Sequence, residues 1–191
     1  MYSPCDEQQF NKTAYNNYSL IRDLPTLIVD YLFENSPDFW KLLKYSDLPL
    51  DKQDVSNEDK AKMICKSSFN TENYNVLFQR YTPNAQIKAN SQVRIYVDSV
   101  SSHGRTNALA RVIFQIIVNN NEMMIQSKFS ENDKRDVAIM QTIVESLNGV
   151  QLQKTKSKMF INNQIDRFAG ADYLSYNNNY SGFQLTMDVW I

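Results

Sequence analysis

The hydrophobic positions are most regular between residues 108 and 149. The run Ala108–Val118 is rich in β-branched and aromatic residues, and three asparagines follow it, as is typical of a strand that ends in a turn. A shorter apolar run, Met123–Ser127, predicts a second strand. From Glu131 to Leu147 apolar residues recur every three or four positions, which is the period of a helix that buries one face. This stretch therefore predicts a strand–turn–strand–helix unit.

The helix of this unit has recognisable ends. Ser130 is expected to cap its N-terminus, with Asp133 at the third helical position, and Gly149 suits a left-handed cap after its last turn. The apolar stripe expected to face the sheet comprises Val137, Met140, Ile143, Val144 and Leu147. The opposite, polar face is expected to comprise Lys134, Arg135, Asp136, Gln141 and Glu145.

Period-two alternation predicts further strands on both sides of this unit. It is clearest in Gln92–Val100 and in the C-terminal segment Phe183–Ile191, and weaker in Asn75–Arg80. Val150–Leu152 predicts a short strand. Between these elements, Ile161–Ser181 is rich in Asn and Tyr, and we interpret it as a long loop of the kind that binds partners.

The chain before residue 70 has helical rather than strand periodicity. Residues 1–18 predict a polar arm that a partner could order, and Leu20–Tyr45 predicts a helical hairpin interrupted at Ser36-Pro37. A third helix is expected to start at Ser56 and to run to Cys65. The predicted fold class is α+β: a small mixed or antiparallel β-sheet packed by a long helix, with an N-terminal helical extension. We divide the chain into 1–70, the arm and helices, and 71–191, the α+β core, which together form one compact unit.

The composition of the chain argues against several classes of function. The 191 residues carry a formal net charge of −1, so the chain as a whole does not have the charge of a nucleic-acid binder. The chain has only four glycines, which argues against a glycine-rich loop that binds phosphate. No apolar run approaches the roughly 18 residues needed to span a bilayer.

Few residues are candidates for catalysis or metal binding. Cys5 and Cys65 are far apart and have no neighbouring histidine, which does not support a zinc site. His103 is the one histidine, and Arg105, two residues further on, disfavours its protonated form, so it is a poor general base. No nucleotide, metalloprotease or serine-hydrolase motif is present in the sequence. We therefore predict a protein that is not an enzyme, with no catalytic residues, no metal and no cofactor.

Binding to other macromolecules is the class of function that remains. The helical hairpin carries more apolar surface than two short helices require, so one flank could bind outside the domain, unless both flanks pack on the sheet. The loop before the last strand concentrates tyrosines. The candidate interface residues are Phe39, Trp40, Tyr173, Tyr176, Tyr180 and Trp190. The one concentrated basic feature is Lys154, Lys156 and Lys158, which would project from one face of an extended segment. They are candidates for facing a DNA channel, or else a solvated sheet edge.

Two stretches carry a resemblance to known families. Arg22–Tyr45 (RDLPTLIVDYLFENSPDFWKLLKY) resembles the N-terminal part of neck, or head–tail connector, proteins of tailed bacteriophages. The second half, with two strands, a helix ending in ESLNG, a loop and the final strand SGFQLTMDVW, resembles tail-terminator or tail-completion proteins.

The resemblance implies a structural protein of the virion that is made in the host cytoplasm. It implies a homo-oligomeric ring of six or twelve copies that joins or seals the portal vertex to the tail. Its partners would be the portal or adaptor and the tail proteins, with DNA passing through the lumen without sequence-specific binding and with no membrane partner. Two alternatives stay open: a monomeric adaptor or inhibitor of a host protein, and a nucleic-acid binder that uses the three lysines and Arg167.

Overall fold

The computed structural model describes residues 17–65, 71–80, 87–103, 107–125, 133–161 and 171–191. The predictions for residues 1–16, Ser130 and Arg167 lie outside these residues. The helices are α1 (Asn17–Asn35), α2 (Pro37–Lys44), α3 (Asn57–Met63) and α4 (Arg135–Leu147). The strands are β1 (Val76–Leu77), β2 (Ser91–His103), β3 (Asn107–Asn119), β4 (Met124–Ile125), β5 (Asp133–Lys134), β6 (Ala171–Asn177) and β7 (Tyr180–Trp190).

The sheet is mixed and has five strands in the order β1-β2-β3-β7-β6. β1 runs parallel to β2, and every other neighbouring pair is antiparallel. β2 and β3 form a long hairpin that closes at the pair His103–Asn107, and β7 pairs along the other side of β3. β4 and β5 make a separate two-stranded ribbon. The predicted α+β class, with a mixed sheet and helices at the N-terminus, is confirmed.

The helices cover one face of the sheet. Alternate residues of β3 point into a single hydrophobic cluster, which also receives residues of α1, α2 and α4. The fully buried members of this cluster on β3 are Ala110, Val112, Phe114, Ile116 and Val118. Opposite them, α1 contributes Leu24, Ile28 and Leu32, and α4 contributes Ile139, Ile143 and Leu147. These i, i+4 spacings bury one helix face against the alternating face of a strand.

The predicted starts of α2 and α3 are confirmed, although α3 ends at Met63 instead of Cys65. Ser56 caps α3, because its hydroxyl accepts a hydrogen bond from the backbone N–H of Asp59 at 3.2 Å. Pro37 begins α2 directly after α1 ends at Asn35, which gives the expected helical hairpin.

The prediction of one long loop before the last strand is wrong for residues 171–177, which form β6. β6 and β7 make a hairpin whose turn is held by Asn177: its side-chain oxygen accepts from the backbone N–H groups of Asn179 and Tyr180, at 2.8 and 3.0 Å. The asparagine-rich composition therefore marks a tight turn between two strands.

Two further predictions around α4 are corrected. The helix begins at Arg135 instead of Glu131, because Asp133 and Lys134 are taken into β5. Arg135 and Asp136 are each 1 % exposed, so they do not belong to a polar face. After the helix, Val150–Leu152 is not a strand, although the N–H of Met159 donates to the carbonyl of Val150 at 2.7 Å and folds the segment back on itself.

Candidate interaction surface

The aromatic side chains of the helical hairpin are interior. Phe39 and Trp40 are both 0 % exposed, and their rings meet edge to face at 5.2 Å. The indole N–H of Trp40 donates to the carbonyl of Leu32 at 2.9 Å. The interface prediction is therefore wrong for these two residues. The prediction fails because α2 packs against α1, α4 and β2, which places both rings in the interior.

Arg135 fixes the position of α2 and was missed by sequence reasoning. Its guanidinium donates to four backbone carbonyls, those of Glu122, Leu42, Tyr45 and Ser46, at 2.8, 2.7, 2.6 and 2.5 Å. Leu42 lies in the last turn of α2, where the helix dipole is negative, and Tyr45 and Ser46 directly follow the helix. The sequence does contain a signal, because Arg135 precedes the buried Ile139 by one helical turn.

Burial shifts the pKa of both charged residues at the start of α4. Loss of solvent lowers the pKa of the Arg135 guanidinium, and it raises the pKa of the Asp136 carboxyl. Asp136 accepts a hydrogen bond from the backbone N–H of Val137 at 2.8 Å, which partly compensates for its burial. The two groups are structural, since neither lines an open site.

The tyrosines near the C-terminus differ in how much surface they offer. Tyr173 on β6 is 61 % exposed, and its ring rests edge-on against Phe183 at 5.6 Å. Tyr176 is partly buried. Tyr180 is only 8 % exposed, and its hydroxyl donates to the carbonyl of Ile87 at 3.0 Å, so the interface prediction is wrong for Tyr180. Tyr173 is thus the strongest candidate contact of the three.

Trp190 lies at the end of the sheet where the β2–β3 hairpin closes. Its ring is partly exposed and meets the ring of His103 edge to face at 4.9 Å. Its backbone is held by residues of the preceding loop: its N–H donates to the hydroxyl of Ser157 at 2.9 Å, and its carbonyl accepts from the N–H of Lys156 at 2.8 Å. Trp190 and His103 together form a half-exposed aromatic pair at this end of the molecule.

The three lysines of the same loop are exposed but do not form one row. Their segment consists of turns, and Lys154 has a left-handed backbone with φ of 67°, so the extended arrangement predicted from their spacing is wrong. Lys156 donates to the side-chain oxygen of Asn107 at 3.0 Å. Lys154 and Lys158 share the exposed surface of this loop. Whether the lysines face a DNA channel stays a prediction.

A cleft lies between α1 and residues 151–153. Its volume is about 510 Å³, and its walls include Leu27, Tyr31, Asp30 and Glu34. Within the described residues, no three His, Cys, Asp or Glu side chains are arranged to hold a metal ion. None of the described helices is long and apolar enough to cross a membrane.

Comparison with known proteins gives one family. A family model described as YomW matches residues 36–189, from the residue before α2 to the penultimate residue of β7. The match therefore covers α4 and all of the sheet except the last residue of β7, and it leaves α1 outside. No curated protein matches the chain.

Proposed function

Because the chain belongs to the YomW family, which is phage-derived, we propose that it is a structural protein of the phage virion that forms a ring in the neck. In this proposal the ring joins or seals the portal vertex to the tail around the DNA channel. The family match over residues 36–189 is the observation that carries the proposal, since it covers the α+β core on which the resemblance to tail-terminator proteins rests.

The shape of the sheet supports a ring. A closed ring is built from head-to-tail contacts, so each subunit needs two unlike side surfaces. The sheet ends in β1 and β2 on one side and in β6 on the other, and each side carries an exposed aromatic residue. Phe78 follows β1 and is 37 % exposed, and Tyr173 lies on β6. Two unlike edges on opposite sides are the arrangement that a head-to-tail contact requires.

The charge distribution supports passage of DNA without tight binding. The net charge of −1 gives little overall attraction to phosphate, while Lys154, Lys156 and Lys158 form a local basic loop. In the proposal these lysines face the lumen, and the portal or adaptor and the tail proteins contact the two ends of the ring.

Electron microscopy of particles tests the role in the virion. We expect a phage that carries a stop codon in this gene to produce DNA-filled heads and separate tails, because the joint between them is missing. Supplying the intact gene from a plasmid should restore joined particles. Joined, infectious particles in the complete absence of the protein would contradict a neck role.

A further inference from the structure

The two sides of the sheet end in strands that can accept another strand. In the described part of the chain, no strand pairs with the outer side of β6. On the other side, β1 covers β2 only at Val93 and Arg94, so the described residues give the outer side of β2 no strand neighbour towards His103. A strand edge of this kind presents backbone donors and acceptors that pair readily with another chain.

The direction of the strands makes these two edges complementary. β2, β3, β7 and β6 are joined by three antiparallel pairings, so β6 runs opposite to β2. If a second copy stands beside the first in the same orientation, β6 of one copy meets β2 of the next in antiparallel fashion. The sheet can therefore continue from subunit to subunit without a change of orientation, which is a head-to-tail contact.

The faces of the sheet restrict the register. On β2, Val100 lies beside Ala110 and faces the helices, so Ser101 and His103 face away from them. On β6, Tyr173 lies beside Phe183, which packs against the core under the helices, so Asp172 and Leu174 face away.

In a sheet that continues from one copy to the next, the residues that face away from the helices must lie on the same face in both copies. One antiparallel register that does so places Asp172 of one copy opposite His103 of the next, and Leu174 opposite Ser101. All four side chains are at least partly exposed in the single chain. In this register a carboxylate meets an imidazole, which can donate a hydrogen bond to it.

The composition of the edges also favours strand pairing. β6 has the sequence ADYLSYN, with one charged residue and no lysine or proline, the residues that commonly protect exposed edges. Each strand contains one bulge, yet Ala171–Ser175 and Ser99–His103 keep regular pairing over five residues. Tyr173 adds a large exposed ring within the first of these stretches.

We propose that β6 of one copy pairs with the Ser99–His103 edge of β2 in the next copy, and that repetition of this contact closes the ring. This inference rests on the ring of the proposed function and names the surface that closes it.

Disulfide trapping tests the contact. In a chain in which Cys5→Ser and Cys65→Ala remove the native thiols, Leu174→Cys and Ser101→Cys are combined, because residues directly opposite in a strand pair are close enough for a disulfide. Mild oxidation is expected to give a ladder of covalent multimers that stops at the number of subunits in the ring. Each single-cysteine variant is expected to stay monomeric on the same non-reducing gel.

Other results of this experiment would overturn the inference. Dimers from a single-cysteine variant would show that the same edge of two copies pairs with itself. If a folded double variant gives no ladder, the two different edges do not meet. If the unmodified protein still forms a ring in that case, the proposed function stands and only the contact is wrong. A protein that is monomeric under all conditions contradicts both.

A charge substitution gives a second, independent readout. Asp172→Lys places an ammonium opposite His103 and a lysine on the edge strand, so we expect the concentration for half-assembly to rise about tenfold. Asp51→Lys makes the same change in charge in the exposed turn after α2 and is expected to leave assembly unchanged. Equal assembly of both variants would overturn the inference.

Discussion

Replacing Gly182 with alanine is expected to lower the free energy of unfolding by about 4 kcal/mol or more, which would leave little folded protein. A Cβ at this position would overlap the carbonyl oxygen of Ile116 on β3 and would also meet its carbonyl carbon at 3.0 Å. β3 is held by β2 on one side and by β7 on the other, so its backbone has no room to move. Urea unfolding followed by circular dichroism measures the loss.

Gly149→Ala is the matched control. Gly149 has a φ of +83°, but a Cβ there would have no atom within 4 Å. The expected cost is only the backbone strain of a left-handed residue, about 1–2 kcal/mol. Equal losses for the two variants would show that crowding between β3 and β7 is not what requires glycine at position 182.

Replacing Arg135 with methionine is expected to cost about 3 kcal/mol. Methionine has a similar length but leaves the four carbonyls that the guanidinium binds without their donor, and each buried unsatisfied carbonyl costs about 1–3 kcal/mol before the structure relaxes. Arg135→Lys is expected to be intermediate, because an ammonium has three donors and lacks the planar fork. Denaturant unfolding of the purified variants measures these differences.

Arg22→Met is the control for the loss of an arginine charge. The side chain of Arg22 is 85 % exposed and forms an ion pair with its neighbour Asp23, so its replacement should change the free energy of unfolding by less than about 0.5 kcal/mol. If Arg135→Met were as mild as Arg22→Met, the guanidinium would not be what ties α2 to α4.

Helices and strands that are long enough to repeat their hydrophobic pattern several times were predictable from the sequence. β2, β3, β7, α1 and α2 each repeat their apolar positions over at least two turns or several residue pairs, so local pattern and final structure agree. β6 was not predictable from its pattern, because an edge strand buries little and ADYLSYN has no clear alternation. Its pairing with β7 depends on a turn of two asparagines that by itself also suits a loop.

Burial of individual polar and aromatic side chains was the least predictable feature. Arg135 is interior because the segments that follow α2 and β3 converge on it, and such convergence is set by the tertiary fold. Phe39 and Trp40 are interior because α2 has packing partners on more than one side. The candidate contacts that remain accessible, Tyr173 and Trp190, lie at the edge and the end of the sheet.

Particle mass tests the central claim most directly. Light scattering behind a sizing column should be recorded at several concentrations of the protein, alone and with purified portal or tail proteins. A ring predicts one discrete particle of six or twelve chains of 22.3 kDa, formed by the protein alone or on a partner. The mass of a single chain at every concentration and with every partner would contradict the ring, and would direct attention to Tyr173 as the contact of a monomeric adaptor.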